Sequence, residues 1–455
     1  MRQARLRDVV ASMKNGIYKP ASSYADDGMP CLRMYNIEAG SIVWRDIKRM
    51  KVTPAEQVDY GLLEGDLLVN RVNSRELVGK AAVIPAGMEP SLFESKNIRL
   101  RLDVAKAIPK FINYQLFARG SRHFASNAQQ VVGMASISQG QLADFPIVLT
   151  DLDEQRRIVA EIEKQFSRLD EAVANLQRVK ANIKRYKASV LKAAVEGRLV
   201  ETEASIAQRE GRSYEIGEQL LQRVLEERRT KWVGKGKYKE PEAPALEGLN
   251  TLPEGWTYAT AEQMCEQIAS GSTPSSDAMF SGTGEVPFLK VYNLTFDGSL
   301  DFTVKPTFVS NATHQGPLAR SRSIPGDVLM NIVGPPLGKV SIVSSIFPEW
   351  NINQAIVTFR TSPGLVNKML AHWLLAQPVL SRLERTAKAT AGQHNLQVST
   401  CRKLPIPVPP IAEQVRIVAE VDRHLSIARE VEAEVYANLQ RARGLRQSTL
   451  IKLFQ

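Results

Sequence analysis

Cysteine is scarce: Cys31, Cys265 and Cys401 are the only three in 455 residues. They are too scattered for a disulfide framework or a paired-cysteine zinc site and are expected to be ordinary, partly buried thiols. Five histidines, His123, His314, His372, His394 and His424, stand apart from one another and from the cysteines. That spacing leaves no zinc-hydrolase or nucleophile-triad pattern. No run approaches the roughly 18 apolar residues of a spanning helix, and the basic start MRQARLRDVV lacks the apolar stretch of a secretory signal. A cytoplasmic chain without membrane association is expected.

The segment Gly334-Pro335-Pro336-Leu337-Gly338-Lys339 is a phosphate loop in outline only. It is one residue short, has no Ser or Thr after the lysine, and its prolines remove backbone donors. No glycine-rich or Asn-Pro-Pro-aromatic motif of an amino-methyltransferase is present, and no acidic-plus-lysine nuclease cluster. The expectation is a recogniser with no catalytic residue, no metal and no cofactor of its own.

What is abundant is positive charge. Lysine plus arginine number 59 against 48 acidic residues, a net +11, and the pI is near 9.4, which favours a polyanionic partner. Hydrophobic residues at 44% and charged ones at 24% are a globular composition. The length suggests about three structural units.

The chain repeats one plan twice. Met29 to Ile37 (MPCLRMYNI) aligns with Val286 to Leu294 (VPFLKVYNL), apolar positions alternating as in strands. Gly65-Asp66-Leu67-Leu68-Val69-Asn70 aligns with Gly326-Asp327-Val328-Leu329-Met330-Asn331, and Gly79-Lys80 with Gly338-Lys339. Glu154-Gln155-Arg156-Arg157-Ile158-Val159-Ala160-Glu161 aligns with Glu413-Gln414-Val415-Arg416-Ile417-Val418-Ala419-Glu420. Each copy therefore reads as a β-rich half followed by a long helix.

Asp151-x-x-Glu154 has the form of a capping box, and Pro409-Pro410 assists the second helix start. Ile162, Leu169, Leu176, Ile183 and Val190 recur every seven residues, flanked by Ala172, Val179, Tyr186 and Ala193. In the second copy Val421, Ala428, Val435, Ala442 and Thr449 form a row with Leu425, Leu439 and Leu453 beside it. These are coiled-coil stripes. A helix from Asp153 to Val195 would be on the order of 60 Å long and needs a partner; antiparallel pairing of the two helices, with a pseudo-two-fold axis between the copies, is the economical solution. Between the copies, Ser213 to Trp232 reads as one short amphipathic helix, followed by a flexible basic run at 234–241.

The ordered motifs, above all Pro-Ile-Pro-Val-Pro-Pro-Ile-Ala-Glu-Gln at 405–414 opening a long helix and its first-copy match from Asp144 to Val159, make the chain resemble the specificity subunit of type I restriction-modification systems. The resemblance implies an α+β chain of two β-rich α/β target-recognition domains (1–150 and 251–408). Between them it implies two long helices (151–199 and 409–455) forming an antiparallel coiled coil, with a linker at 200–250. It further implies a non-catalytic reader of an asymmetric bipartite double-stranded DNA target, with the helices as a ruler for the gap. The implied partners are two modification subunits, which bind S-adenosylmethionine and methylate adenine, and restriction subunits using ATP and Mg. Alternatives are a specificity subunit of a related methyltransferase-nuclease or methylation-only system, or a coiled-coil scaffold that does not bind DNA.

Base reading calls for arginines and side-chain amides, phosphate holding for lysines. Candidates in the first half are Arg33, Tyr35, Asn36, Asn70, Arg71, Asn73, Arg75, Lys80, Gln129, Gln130 and Ser136. In the second half they are Lys290, Tyr292, Asn293, Asn331, Lys339, Gln393, His394 and Asn395. Tyr35-Asn36 and Tyr292-Asn293 recur in both halves and so suit scaffold or phosphate roles. Arg71, Asn73 and Arg75 differ between halves and suit specificity.

Overall fold

The computed structural model describes residues 1–454 apart from 128, 132–133, 235, 335 and 391–392. The side chains of 127–133 and 388–394 also lie outside the described set. By contacts the chain divides into a first unit, residues 1–179 with 434–455, and a second, residues 180–433.

In the first unit four antiparallel strands lie in the order Val10–Asn15, Asn97–Leu102, Leu67–Asn70, Ala81–Val83. Alternate residues of a strand face opposite sides. Leu67, Val69, Ile98 and Leu100 accordingly join Phe111, Ile112 and Leu116 of the helix Pro109–Asn127, while Leu68 and Ala82 pack with Leu32, Ile37 and Phe93 of an outer layer. Cover on both faces explains why Leu67, Leu68 and Val69 are all buried.

The second unit repeats this arrangement with Cys265–Ser270, Ile356–Thr361, Val328–Asn331 and Val340–Ile342. Val328, Met330, Val357 and Phe359 face one core, Leu329 and Ile356 the other. A two-stranded pair also recurs: Arg2–Arg5 with Pro146–Leu149, and Thr257–Thr260 with Pro405–Val408. The copies differ in the outer layer, a three-stranded sheet in the first unit and a five-stranded one in the second.

The long helices run Leu152–Val195 and Ile411–Phe454. In the first unit Asp170 pairs with Arg446, which also lies 5.2 Å over the Phe166 ring. In the second unit Lys187 pairs with Glu432 and Tyr186 meets His424. Later positions of one helix thus meet earlier positions of the other, the antiparallel pattern expected. Ile162, Ile183, Val190, Val421, Leu425 and Val435 are buried, and Leu169, Leu176 and Leu439 are half-buried.

The flanking row is corrected at three of its four places: Ala172, Val179 and Tyr186 are exposed, while Ala193 is half-buried. The companion row is Phe166, Val173, Lys187 and Ala194, each buried or half-buried. A lysine fits there because its stem packs while its ammonium reaches Glu432. The capping box is also only half made. Asp151 Oδ1 accepts from Glu154 N at 2.8 Å, and that bond holds the Asp151 carboxyl below its ordinary range, but Glu154 spends its carboxylate on Arg157.

The linker holds two helices rather than one, Glu203–Glu210 and Gly217–Thr230. The first is capped by Thr202, whose hydroxyl accepts from Ser205 N. It is anchored by buried Glu203, which pairs with Arg212 and Arg416 and whose N–H donates to Glu413 Oε2 at 2.8 Å. The second helix buries Leu220, Leu221 and Val224 in the second unit's core. The basic run has one residue, Lys235, outside the described set. The three cysteines are free and fully buried rather than partly so, and burial pushes the Cys31 and Cys401 thiols up to about 12.

Candidate nucleic-acid interface

The shared Tyr-Asn motif is a turn built around its asparagine. Arg33 N donates to Asn36 Oδ1 at 2.9 Å, and Asn36 Nδ2 donates to the carbonyls of Val43 and Arg45 at 3.1 and 2.8 Å. Asn293 does the same with Lys290 N at 3.0 Å and the carbonyls of Asp301 and Val304 at 3.0 and 2.8 Å. Both amides are buried and spent; they fix the loop and have no donor left for a base. The exposed members are Tyr35 at 63% and Tyr292 at 36%. Half-buried Arg33 donates to Asp46 O at 2.9 Å and lies 5.6 Å over the Tyr35 ring. Lys290 is half-buried on the matching turn.

The Gly-Asp motif closes the turn before the central strand. Asp66 Oδ2 accepts from Leu63 N at 2.9 Å and Asp66 Oδ1 from Arg101 Nε at 3.0 Å. Asp327 accepts from Ile324 N at 2.9 Å and from both Nε and an amino group of Arg360 at 2.9 and 2.8 Å. The glycine of Gly-Lys is required by space and backbone alike. At Gly79 (φ +83) a Cβ would stand 2.3 Å from Phe124, and at Gly338 (φ +92) 2.5 Å from Leu380. The lysines that follow diverge. Lys339 donates to Val291 O at 3.1 Å and lies 5.7 Å from the Phe296 ring centre. Lys80 is half-buried, and burial lowers its ammonium from the ordinary value, partly offset by Glu38.

The structure brings many of the remaining candidates onto one small sheet per unit. In the first, Gln129–Val131, Met134–Ser136 and Val72–Asn73 pair antiparallel, with Gln129 opposite Ser136 and Asn73 opposite Ala135. Arg71 leads into this sheet, its carbonyl accepting from Ile137 N at 2.9 Å. Its side chain is half-buried, with Nε unpartnered among the described residues and one amino group 3.5 Å from Ser95 O. The matching residue in the second unit is Ile332, whose carbonyl accepts from Leu396 N and whose side chain is in the core. Arg75 is exposed and donates to Ala125 O at 3.0 Å. In the second unit Lys388–Thr390, Gln393–Asn395 and Val333–Gly334 form the equivalent sheet. Among the described residues, Asn395 Oδ1 is buried there without a partner. The side chains of Gln129, Gln130, Gln393 and His394 lie outside the described residues.

Asn70, Asn73 and Asn331 are buried, contrary to a base-reading role. Asn73 Nδ2 donates to Asn70 Oδ1 at 2.7 Å, and Asn331 Nδ2 donates to the carbonyls of Val333 and Pro336 at 3.1 and 2.9 Å. These amides hold the edge of the small sheet. A residue that sequence reasoning missed is Asn97, opposite Asn70 on the neighbouring strand. A polar residue at an otherwise apolar inward position was its one signal.

Two units of one plan, each with a turn fixed by its asparagine and a small three-stranded sheet, define a duplicated protein. Residues 253–441 match the family described as type I restriction modification DNA specificity domain. Over 98% of its length the chain is 23% identical to the type I restriction enzyme EcoBI specificity subunit of Escherichia coli, covering 84% of that protein. Over 36% of its length it is 31% identical to the putative type I restriction enzyme MjaX specificity subunit of Methanocaldococcus jannaschii, covering 39% of it. A chain from a solved type I R-M system matches 100% of this chain and 97% of its own, with TM-score 0.65 and 18% identity; at that identity the match speaks for the fold. Residues 253–441 thus match a type I specificity domain, and nearly the whole chain is similar to a type I specificity subunit, the resemblance that its ordered repeats led us to expect.

Proposed function

We propose that this chain is the non-catalytic specificity subunit of a type I restriction-modification complex, reading an asymmetric bipartite double-stranded DNA target. The observation that carries the reading is the repeated small sheet, built alike in both units but with different polar residues on it. Residues 1–150 and 251–408 act as the two target-recognition domains, each reading its own half-site. The helical stretches 151–199 and 409–455 are the spacer and, with the 200–250 linker, join them. Two modification subunits supply S-adenosylmethionine and adenine methylation. Restriction subunits supply ATP- and Mg-dependent cleavage. The chain itself binds no cofactor and works in the cytoplasm.

Co-expression with the modification subunit and titration into duplex DNA tests this. The complex should prefer one gapped sequence over scrambled duplex by about a thousandfold or more, with affinity falling steeply as salt rises. Equal affinity for all duplexes would refute it. Within that preference, Arg71→Ala should cost about 1–3 kcal/mol of discrimination at bases of one half-site. Unchanged competition by single-base variants would remove Arg71 from the readers.

A further inference from the structure

We infer that Asn97, with Asn70 and Asn73, forms a buried amide relay that positions the first unit's two reading elements relative to each other; this rests on the DNA-reading function proposed above. The relay starts at the strand end that leads into the Arg33–Asn36 turn. Asn97 Nδ2 donates to Leu32 O at 3.3 Å, and Asn97 Oδ1 accepts from Asn70 Nδ2 at 3.1 Å. Asn70 Nδ2 also lies 3.3 Å from Lys96 O, while Asn70 Oδ1 accepts from Asn73 Nδ2 at 2.7 Å. Asn73 Oδ1 then takes Ser74 N at 2.8 Å. Asn73 belongs to the strand paired with Met134–Ser136.

Three amides, none more than 5% exposed, thus run without a break from the Arg33–Tyr35 turn to the small sheet. Every bond has a defined direction, because each amide both donates and accepts. Buried amides linked this way leave a partner unsatisfied if one is removed, so the geometry they hold is specified sharply.

The second unit shows that the fold does not require this relay. Opposite Asn331, where the first unit has Asn97, stands Ile356, packed with Leu289, Leu329 and Ile352. Where the first unit has Asn73, the second has Gly334. Asn331 acts alone, bonded to its own loop and to Lys339 N at 2.8 Å. The polar relay is therefore peculiar to one copy of a duplicated scaffold, which fits a role in one half-site's selectivity. Asn97 acts through Asn70 and Asn73 and is a positioning residue.

The test uses the residues that the second unit carries, so the substitutions suit the fold: Asn97→Ile and, separately, Asn73→Gly. In the full-length chain, amide hydrogen exchange of 134–136 should quicken about tenfold, with 393–395 unchanged. In the complex with modification subunits, discrimination among single-base variants of the wild-type methylation target should fall about tenfold at one half-site and hold at the other. Overall melting should stay cooperative. Unchanged exchange at 134–136, or equal loss of discrimination at both half-sites, overturns the relay. A wild-type chain that supports no sequence-specific methylation would instead sink the DNA-reading function, and the exchange measurement would still decide the relay.

Discussion

Asp327→Ala is expected to destabilise the second unit by about 3–5 kcal/mol. Its carboxylate is buried and holds the Ile324 N–H on one side and the Arg360 guanidinium on the other. That pairing raises the Arg360 guanidinium above its ordinary value. Truncation leaves a partly buried charge and a turn N–H without partners, which costs more than the pair itself contributes. Urea unfolding followed in the second unit should show an earlier midpoint. The double variant Asp327→Leu with Arg360→Leu should recover at least half the loss, because no lone charge then remains. A double variant as unstable as the single would mean that the turn bond, and not the stranded arginine, dominates.

Gln155→Ala and Gln414→Ala should each cost about 3 kcal/mol. Both glutamines are fully buried in the first turn of a long helix. Gln155 Oε1 accepts from Ile108 N at 2.9 Å, and its Nε2 donates to Lys106 O and Thr150 O at 3.0 and 2.9 Å. Gln414 repeats this with Val366 N at 2.9 Å and the carbonyls of Gly364 and Pro409 at 3.1 and 3.0 Å. One side chain thus joins the long helix's start to the loop before it and to the segment that leads into an earlier helix, Pro109–Asn127 or Asn367–Leu375. The glutamate beside it is free to vary: Glu154 pairs on the surface with Arg157, whereas Glu413 is buried, raised by that burial, and accepts from Trp256 Nε1 at 2.9 Å. Glu154→Ala should therefore leave the melting temperature nearly unchanged. Thermal melts of the variants would measure the contrast, and equal losses for Gln155→Ala and Glu154→Ala would contradict it.

The duplication was legible because repeated constraints leave repeated residues. Gly79 and Gly338, Asp66 and Asp327, Asn36 and Asn293, and Gln155 and Gln414 occupy matching places for matching physical reasons. Composition could not show which polar residues face inward. Asn70, Asn73 and Asn331 have the chemistry of base readers, but strand pairing turns them into the interior. The first helix's companion row was hidden because Lys187 occupies a place where an apolar pattern is sought, its ammonium paired with Glu432. The linker's first helix was hidden similarly, since Glu203 at its start is a charged residue that the fold buries.

The central claim is that this chain gives a methylating complex its DNA address. The most direct measurement is a genome-wide adenine-methylation map of the host with the gene intact and deleted, the partner subunits being expressed in both. The account predicts that deletion removes one asymmetric, gapped motif and leaves all other methylation in place. An identical map in the two strains would contradict it.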